Sequence, residues 1–223
     1  DDAAKTATAA ADKGSLGMGL FVIGKDLIKQ QDLFFEKFLT SRFGPDFYLT
    51  GGTALARFYF NHQESVDLDL FTNNQKIDFT QVGLWVHQIA KQLKFKLTNE
   101  VNTEDFLQYN FAVGNGLNLK IDVVKDIPVH FGKILVKDKV RVDSLENIGS
   151  NKILAIFGRT EAKDFVDLYY LINQAKLDFE ALYQMAGKKD LGLNNFYLAL
   201  AIKGAGKLTI WPKMLKPLDK NKL

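Results

Sequence analysis

The sequence predicts an α+β fold: a mixed sheet with flanking helices over residues 25–142, followed by a helical bundle over residues 143–223. Three observations carry this. Apolar residues alternate with polar ones in short runs at 65–71, 106–113 and 117–124, the two-residue period of a half-buried strand. Between and before these runs, 25–43 and 79–93 carry apolar stripes at helical spacing. From Ser144 onward the pattern is helical only.

Taken in order, residues 1–24 begin with Ala, Asp, Lys and Thr without apolar periodicity, and Gly14-Ser15-Leu16-Gly17 reads as a linker. This segment is expected to be tag-derived or loosely ordered. It lacks the cationic start and apolar run of a secretory signal. Residues 25–43 read as a helix with Leu27, Ile28, Gln31, Phe34, Phe35, Phe38 and Leu39 on one side, stopped by Gly44-Pro45. A strand at 46–50, a short helix at 52–60 and a strand at 65–71 follow. Residues 79–93 form a helix with Val82, Trp85, Val86, Ile89 and Leu93 on its apolar side. Strands are expected at 95–101, 106–113 and 117–124, the last two joined by the hairpin signal Asn115-Gly116. Four helices, at 144–157, 160–174, 178–188 and 193–202, make the bundle, with Thr160 as the N-cap of the second. The tail from Lys203 is rich in lysine.

Bulk properties narrow the function classes. The 223 residues are one large domain or two small ones, enough for a buried core. A hydrophobic content of 47% and a charged content of 25% are ordinary for a globular chain. Cysteine is absent, which excludes a disulfide framework and a thiolate metal site and fits a reducing cytoplasm. No apolar run approaches the roughly 20 residues that span a bilayer, so no membrane partner is expected. The net charge of +3 permits a nucleic-acid partner without demanding one. No P-loop or dinucleotide fingerprint occurs, which argues against those enzyme classes. His62, His87 and His130 have no metal-ligand spacing.

The chemistry concentrates between Phe47 and Phe71. Gly51-Gly52-Thr53 opens a helix after a strand. In Val66-Asp67-Leu68-Asp69-Leu70, the apolar side chains are expected in the core and both carboxylates on the other face. Like charges held that close repel unless a cation sits between them. Paired carboxylates beside a glycine turn suit Mg²⁺-bound phosphate chemistry, because oxygen ligands hold the metal and helix N-terminal N–H groups hold phosphate. The plain alternative is a turn and a solvated strand edge. Asp122 stands on the polar face of the strand after the hairpin, as a third acid or as an exposed partner of Lys120.

These residues resemble the polymerase-beta-like nucleotidyltransferase superfamily, and within it the AbiEii/AbiGii-type toxin family. Gly51-Gly52-Thr53-Ala54-Leu55-Ala56 and His62-Gln63-Glu64-Ser65-Val66-Asp67-Leu68-Asp69-Leu70-Phe71 follow the family pattern, with Gln63 where the family usually has Arg. A second match is Lys152, then Arg159, then Lys163-Asp164-Phe165-Val166-Asp167-Leu168-Tyr169. The resemblance spans roughly residues 46–171, and Trp211-Pro212-Lys213-Met214-Leu215 echoes a segment near the family's C-terminus.

The resemblance implies a nucleotidyltransferase-type sheet. It implies Asp67, Asp69 and Asp122 as catalytic, Mg²⁺-binding residues. It implies Gly51, Gly52, Thr53 and Ser65, with Lys152, Arg159 and Lys163, as nucleotide- and phosphate-binding residues. Lys152 would meet the triphosphate, and Asp164 and Asp167 would support the basic residues. Arg159, Lys163 and Asp167, four apart, would line one helix face, either as site residues or as an ordinary Lys163–Asp167 ion pair. The implied activity is Mg²⁺-dependent transfer of a nucleotide from an NTP to RNA, such as a tRNA end, or to protein. The chain would be a cytoplasmic toxin with a separately encoded antitoxin. A small-molecule, antibiotic-type nucleotidyltransferase and a non-catalytic nucleotide-binding module are the alternatives.

Overall fold

A computed structural model of the chain describes residues 13–218, with side chains from residue 25 onward. The expected tag-derived or loosely ordered segment, 1–24, lies outside the residues whose side chains are described. Helix α1 (Lys13–Leu39) ends four residues before the expected stop. Ser41 explains the early end: its hydroxyl donates to the Phe38 carbonyl at 2.6 Å and accepts from the Phe43 N–H at 3.1 Å. The chain then folds back so tightly that a Cβ on Gly44 would lie 2.1 Å from the Leu39 carbonyl oxygen. A 3-10 turn, Gly44–Asp46, replaces the start of the expected first strand.

Seven strands form one mixed sheet: β1 (Tyr48–Thr50), β2 (Asp67–Thr72), β3 (Lys96–Asn102), β4 (Phe106–Ala112), β5 (Asn118–Lys125), β6 (Leu135–Lys137) and β7 (Val140–Val142), in the order β3-β4-β5-β2-β1-β7-β6. The β2–β5 and β1–β7 pairs are parallel and the others antiparallel. Strands β6 and β7 were not expected, because three residues are too few to show alternation. The β4–β5 hairpin turns at the expected place, with Gly114, Asn115 and Gly116 all at positive φ.

One face of the sheet is the core. Leu68, Leu70, Leu107, Tyr109, Phe111, Leu119, Ile121 and Val123 are buried there against Phe34 and Phe38 of α1 and Val82, Val86 and Ile89 of α3 (Phe79–Leu93). Burying each such side chain contributes about 1.5–3 kcal/mol. Val66 departs from the expectation. It is 47% exposed, because it precedes β2 and alternation does not reach it. Its carbonyl is instead held by the buried Gln31 side chain at 2.9 Å.

The C-terminal helices are α4 (Leu145–Gly158), α5 (Ala162–Asn173), α6 (Phe179–Lys189) and α7 (Asn195–Gly204). Ser144, Asp178 and Asn194 cap α4, α6 and α7 with side-chain oxygens. Thr160 does not cap α5: Glu161 takes the cap position, without a side-chain hydrogen bond. Ile148 of α4 and Val166, Tyr170 and Leu171 of α5 join the sheet's core, whereas Ile153, Ile156, Phe165, Leu168, Leu182 and Leu198 make a second cluster. Among the described residues, no helix is long and apolar enough to cross a membrane.

Candidate active site

The face of the sheet opposite the core carries three rows of side chains, fixed by strand register. Residues directly opposite on paired strands share a face. Asn110, Lys120 and Asp67 form one row, Gln108, Asp122, Asp69 and Thr50 the next, and Phe106, Val124, Phe71 and Tyr48 the third. Asp69 and Asp122 are therefore immediate neighbours on parallel strands, and Asp67 lies one row away.

This crowding shows in their electrostatics. Burial, then the charges of Asp122 and Asp67, push the Asp69 pKa up to about 6, against Lys152 and Lys120, which pull it down. Asp122 is partly neutralised, accepting from Lys120 Nζ at 2.6 Å and Gln108 Nε2 at 3.0 Å. Asp122 thus pairs with Lys120 and also stands beside Asp69, and at 14% side-chain exposure it is not the exposed strand residue of the plainer expectation. Asp67 lies 3.8 Å from Lys163 Nζ. Among the described residues, no three acidic or histidine side chains are gathered tightly enough to enclose a metal ion.

Helix α2 (Gly51–Ala54) starts directly after β1 and continues as a π-helical turn, Leu55–Phe60. Gly51 has φ +68, and a Cβ there would lie 2.3 Å from Asp69 Oδ2, so only glycine fits against that carboxylate. A Cβ on Gly52 would lie 3.3 Å from Asp167 Oδ2. Thr53 is fully buried, and its hydroxyl donates to the Asp67 carbonyl. That spends its one proton, so Ser65 is the donor in the 2.7 Å contact between the two hydroxyls. Together they pin the start of the helix to the start of β2.

Behind the carboxylates lies a buried charge cluster. Lys152 Nζ bridges Asp164 Oδ1 at 2.8 Å and Asp167 Oδ2 at 2.7 Å. Burial alone would lower the Lys152 pKa, but Asp167 and Asp164 outweigh it and hold the ammonium above the ordinary lysine value. Asp167 Oδ1 also accepts from His62 Nε2 at 2.7 Å and Gln63 Nε2 at 2.8 Å. Gln63 is therefore a neutral donor to the same carboxylate oxygen as His62. Arg159 does not share a helix face with Lys163 and Asp167. It is extended beyond the end of α4 and reaches Asp164 Oδ2 from Nε at 2.9 Å. No Lys163–Asp167 pair forms either, because Asp167 is fully buried and already occupied, while Lys163 turns outward to Glu161 at 3.2 Å and toward Asp67. The tail closes over this cluster: Met214 pairs with Gln63 as an antiparallel bridge, and the Leu215 N–H donates to the His62 carbonyl at 2.8 Å.

A cleft of about 500 Å³ between the sheet and α4 is lined by Gly51, Asp69, Asp122, Lys152, Arg159 and Asp164, together with the apolar row. Lys163 instead lines a neighbouring groove with Lys207 and Trp211. Gly52, Thr53, Ser65, Asp67 and Asp167 line neither the cleft nor the groove.

Sequence reasoning missed a second buried network. Asp143, fully buried after β7, accepts from Thr50 Oγ1 at 2.6 Å, Asn147 Nδ2 at 2.9 Å and His130 Nε2 at 2.9 Å. Lys189 of α6, whose side chain is 2% exposed, donates to Asn147 Oδ1 at 2.7 Å and Asn151 Oδ1 at 2.6 Å. Only the contrast between an Asp-Ser N-cap signal and a following Asn-x-x-x-Asn on an apolar helix hints at it in the sequence.

The family described as "Nucleotidyl transferase AbiEii toxin, Type IV TA system" matches residues 32–203. The uncharacterized protein aq_aa25 of Aquifex aeolicus (strain VF5) is 29% identical over 175 residues, covering 74% of this chain and 76% of that one. Two solved structures share the fold. JHP933 from Helicobacter pylori has a TM-score of 0.52 at 17% identity, over 82% of this chain and 94% of that one. MenT4, the nucleotidyltransferase toxin Rv2826c from Mycobacterium tuberculosis H37Rv, has a TM-score of 0.52 at 14% identity, over 74% of this chain and 63% of that one.

Proposed function

The chain belongs to the AbiEii family of nucleotidyl transferase toxins, and on that premise we propose that it transfers a nucleotide from an NTP to an RNA hydroxyl, such as a tRNA end. The observation that carries the reading is the pairing of Asp69 with Asp122 beside Gly51, in a cleft that Arg159 and Lys152 also line.

Asp67, Asp69 and Asp122 would hold Mg²⁺. The donor set fits: it is all carboxylate oxygen, the ligand class a hard cation takes. Burial first, and then the charges of Asp122 and Asp67, raise the Asp69 pKa, and a bound cation would offset the repulsion among the three. Lys120, 33% exposed at its side chain, serves as the counter-charge for Asp122, a place that the metal would take. Mg²⁺ held there would supply positive charge to the triphosphate and to the departing pyrophosphate.

The remaining work falls to the chain itself. The backbone of Gly51, Gly52 and Thr53 opens a helix toward the cleft and offers N–H donors to phosphate oxygens. Ser65 supports that turn through Thr53. Arg159 and Lys163 add positive charge at the mouth. Lys152 meets the triphosphate from the cleft wall, held in place by Asp164 and Asp167. Asp122 takes the proton from the attacking hydroxyl, its second oxygen kept in place by Gln108.

The groove formed by Lys163, Lys207 and Trp211 adjoins Asp67, and it supplies the cations and the ring that a single-stranded RNA end would need. This favours RNA over a small amine-bearing acceptor, which would call for an enclosed acidic pocket. The biological setting that follows is a cytoplasmic toxin restrained by a separately encoded antitoxin.

The test is incubation with Mg²⁺, each α-labelled NTP in turn and total cellular RNA, beside an Asp67→Ala/Asp69→Ala variant. Label should enter RNA only with the aspartates intact. Equal labelling by the variant would remove the carboxylates from the mechanism, and label on protein alone would replace the acceptor.

A further inference from the structure

The cleft has a part that phosphate chemistry leaves unused. One row along from Asp69 and Asp122, about 6.6 Å away by strand rise, the floor changes from carboxylates to Phe106, Val124 and Phe71. Leu154 and Ala155 of α4 face this row across the cleft. The result is a slot with apolar walls, opening beside the acids; of the α4 residues that line the cleft, Asn151 is the one neutral polar side chain, Lys152 being committed to Asp164 and Asp167.

The orientation of Asn151 is fixed. Its Oδ1 accepts from Lys189 Nζ at 2.6 Å, and Lys189 is buried with a second bond to Asn147 Oδ1 at 2.7 Å. An ammonium only donates, so each amide must turn its oxygen toward it. Asn147 spends its Nδ2 on Asp143. Asn151 Nδ2 has no hydrogen-bond partner among the described residues, and Asn151 borders the cleft. A buried lysine thus holds an asparagine so that it presents a donor, and not an acceptor, to an apolar slot next to the catalytic acids.

We propose that this slot receives the base of the incoming NTP, and that Asn151 Nδ2 donates to a carbonyl oxygen or bare ring nitrogen on the base edge and so sets NTP preference. The inference rests on the nucleotidyltransferase reading and adds the residue that selects the nucleotide. The spacing fits, because the sugar spans the distance from a phosphate beside Gly51 to a ring on the next row. A planar ring between Phe71 and Leu154 gains stacking and burial whichever base it belongs to, so discrimination falls to the one polar edge.

The test measures equilibrium binding of all four NTPs, with Mg²⁺ and no acceptor, to the wild type and to Asn151→Asp, Asn151→Ala and Ala155→Phe. Wild type should prefer one or two NTPs. Asn151→Asp turns a donor into an acceptor and should weaken the preferred NTP by about tenfold, the scale of one good base-edge contact, while favouring bases that present an exocyclic amine. Asn151→Ala should flatten the preference. Ala155→Phe fills the slot and should weaken every NTP while leaving inorganic pyrophosphate binding unchanged, which also shows that the variant is folded. An unchanged rank order in both Asn151 variants, with NTPs still bound, overturns the slot and leaves the nucleotidyltransferase reading standing. Loss of RNA binding in a filter assay without change in NTP binding assigns the slot to the acceptor's base and likewise overturns it. Failure of the wild type to bind any NTP removes the substrate reading and this inference together.

Discussion

Replacing Asp69 with asparagine should make the metal-free protein more stable while abolishing transfer. Asp69 is held at a pKa of about 6 against an ordinary value of 3.8, by burial first and then by Asp122 and Asp67. A difference of about two units corresponds to about 3 kcal/mol of unfavourable charge at pH 7, at 1.36 kcal/mol per unit. Asp69 is partly open to the cleft, and solvent screening cuts this to about 1.5 kcal/mol. For a chain of this size that is a rise of roughly 3–6 °C in melting temperature. Asparagine has the same shape, so Gly51 keeps its close approach.

The pH dependence gives a second signature. Between 3.8 and about 6, folded Asp69 binds more proton than unfolded Asp69, so wild-type stability from this group falls as pH rises through that window. The gain from Asp69→Asn should therefore be largest at pH 7 and shrink toward pH 5. Differential scanning calorimetry in EDTA at both pH values reads this directly. A variant that melts at or below wild type at pH 7 would refute the claim that the paired acids are held together at a cost to the fold.

Other substitutions probe the remaining parts. Lys152→Met strands two buried carboxylates and should destabilise the protein by about 3–5 kcal/mol in a urea titration; a loss under 1 kcal/mol would mean Asp164 and Asp167 find other counter-charges. Asp164 is raised by burial, but Lys152 and Arg159 outweigh this and hold its pKa below the usual carboxylate value. Its contribution is thus present above about pH 3.9 and lost as pH falls through the lower folded value, so Asp164→Asn should cost stability at pH 7 and flatten the acid limb of a melting-temperature profile. Gly51→Ala places a methyl carbon where Asp69 Oδ2 stands and forces an alanine to positive φ. It should cost about 1 kcal/mol or more in stability and remove transfer with every NTP. Retained transfer in Gly51→Ala would show that this close approach is not part of the site.

The fold was largely readable from the sequence because its central strands are long and alternate cleanly. Leu107, Tyr109 and Phe111, then Leu119, Ile121 and Val123, face the core as their spacing requires. The three-residue strands β6 and β7 had no such signal. Val66 was misplaced because a two-residue period says nothing about where a strand begins. In the site, alternation puts Asp67 and Asp69 on one face of their strand and Asp122 on the polar face of another, and only the family resemblance joins the three. That Asp69 and Asp122 are direct neighbours depends on a parallel pairing between β2 and β5, which local pattern does not reveal. The Arg159–Lys163–Asp167 spacing misled for a related reason: four-residue spacing implies a shared face only inside one helix, and the chain is extended at Arg159. The Asp143–Asn147–Lys189–Asn151 network was invisible, since hydrogen bonds between α6 and α4 across 38 residues leave no periodic trace.

The most direct test of the central claim is a comparison of α-labelled and γ-labelled NTP under otherwise identical transfer conditions. Nucleotidyl transfer joins the α-phosphorus to the acceptor hydroxyl and releases pyrophosphate. Label should therefore appear on RNA from the α position only, with pyrophosphate formed in equal amount and none in the Asp69→Asn variant. Label arriving on RNA from the γ position would mean that the same cleft transfers a phosphoryl group instead, and would contradict the account.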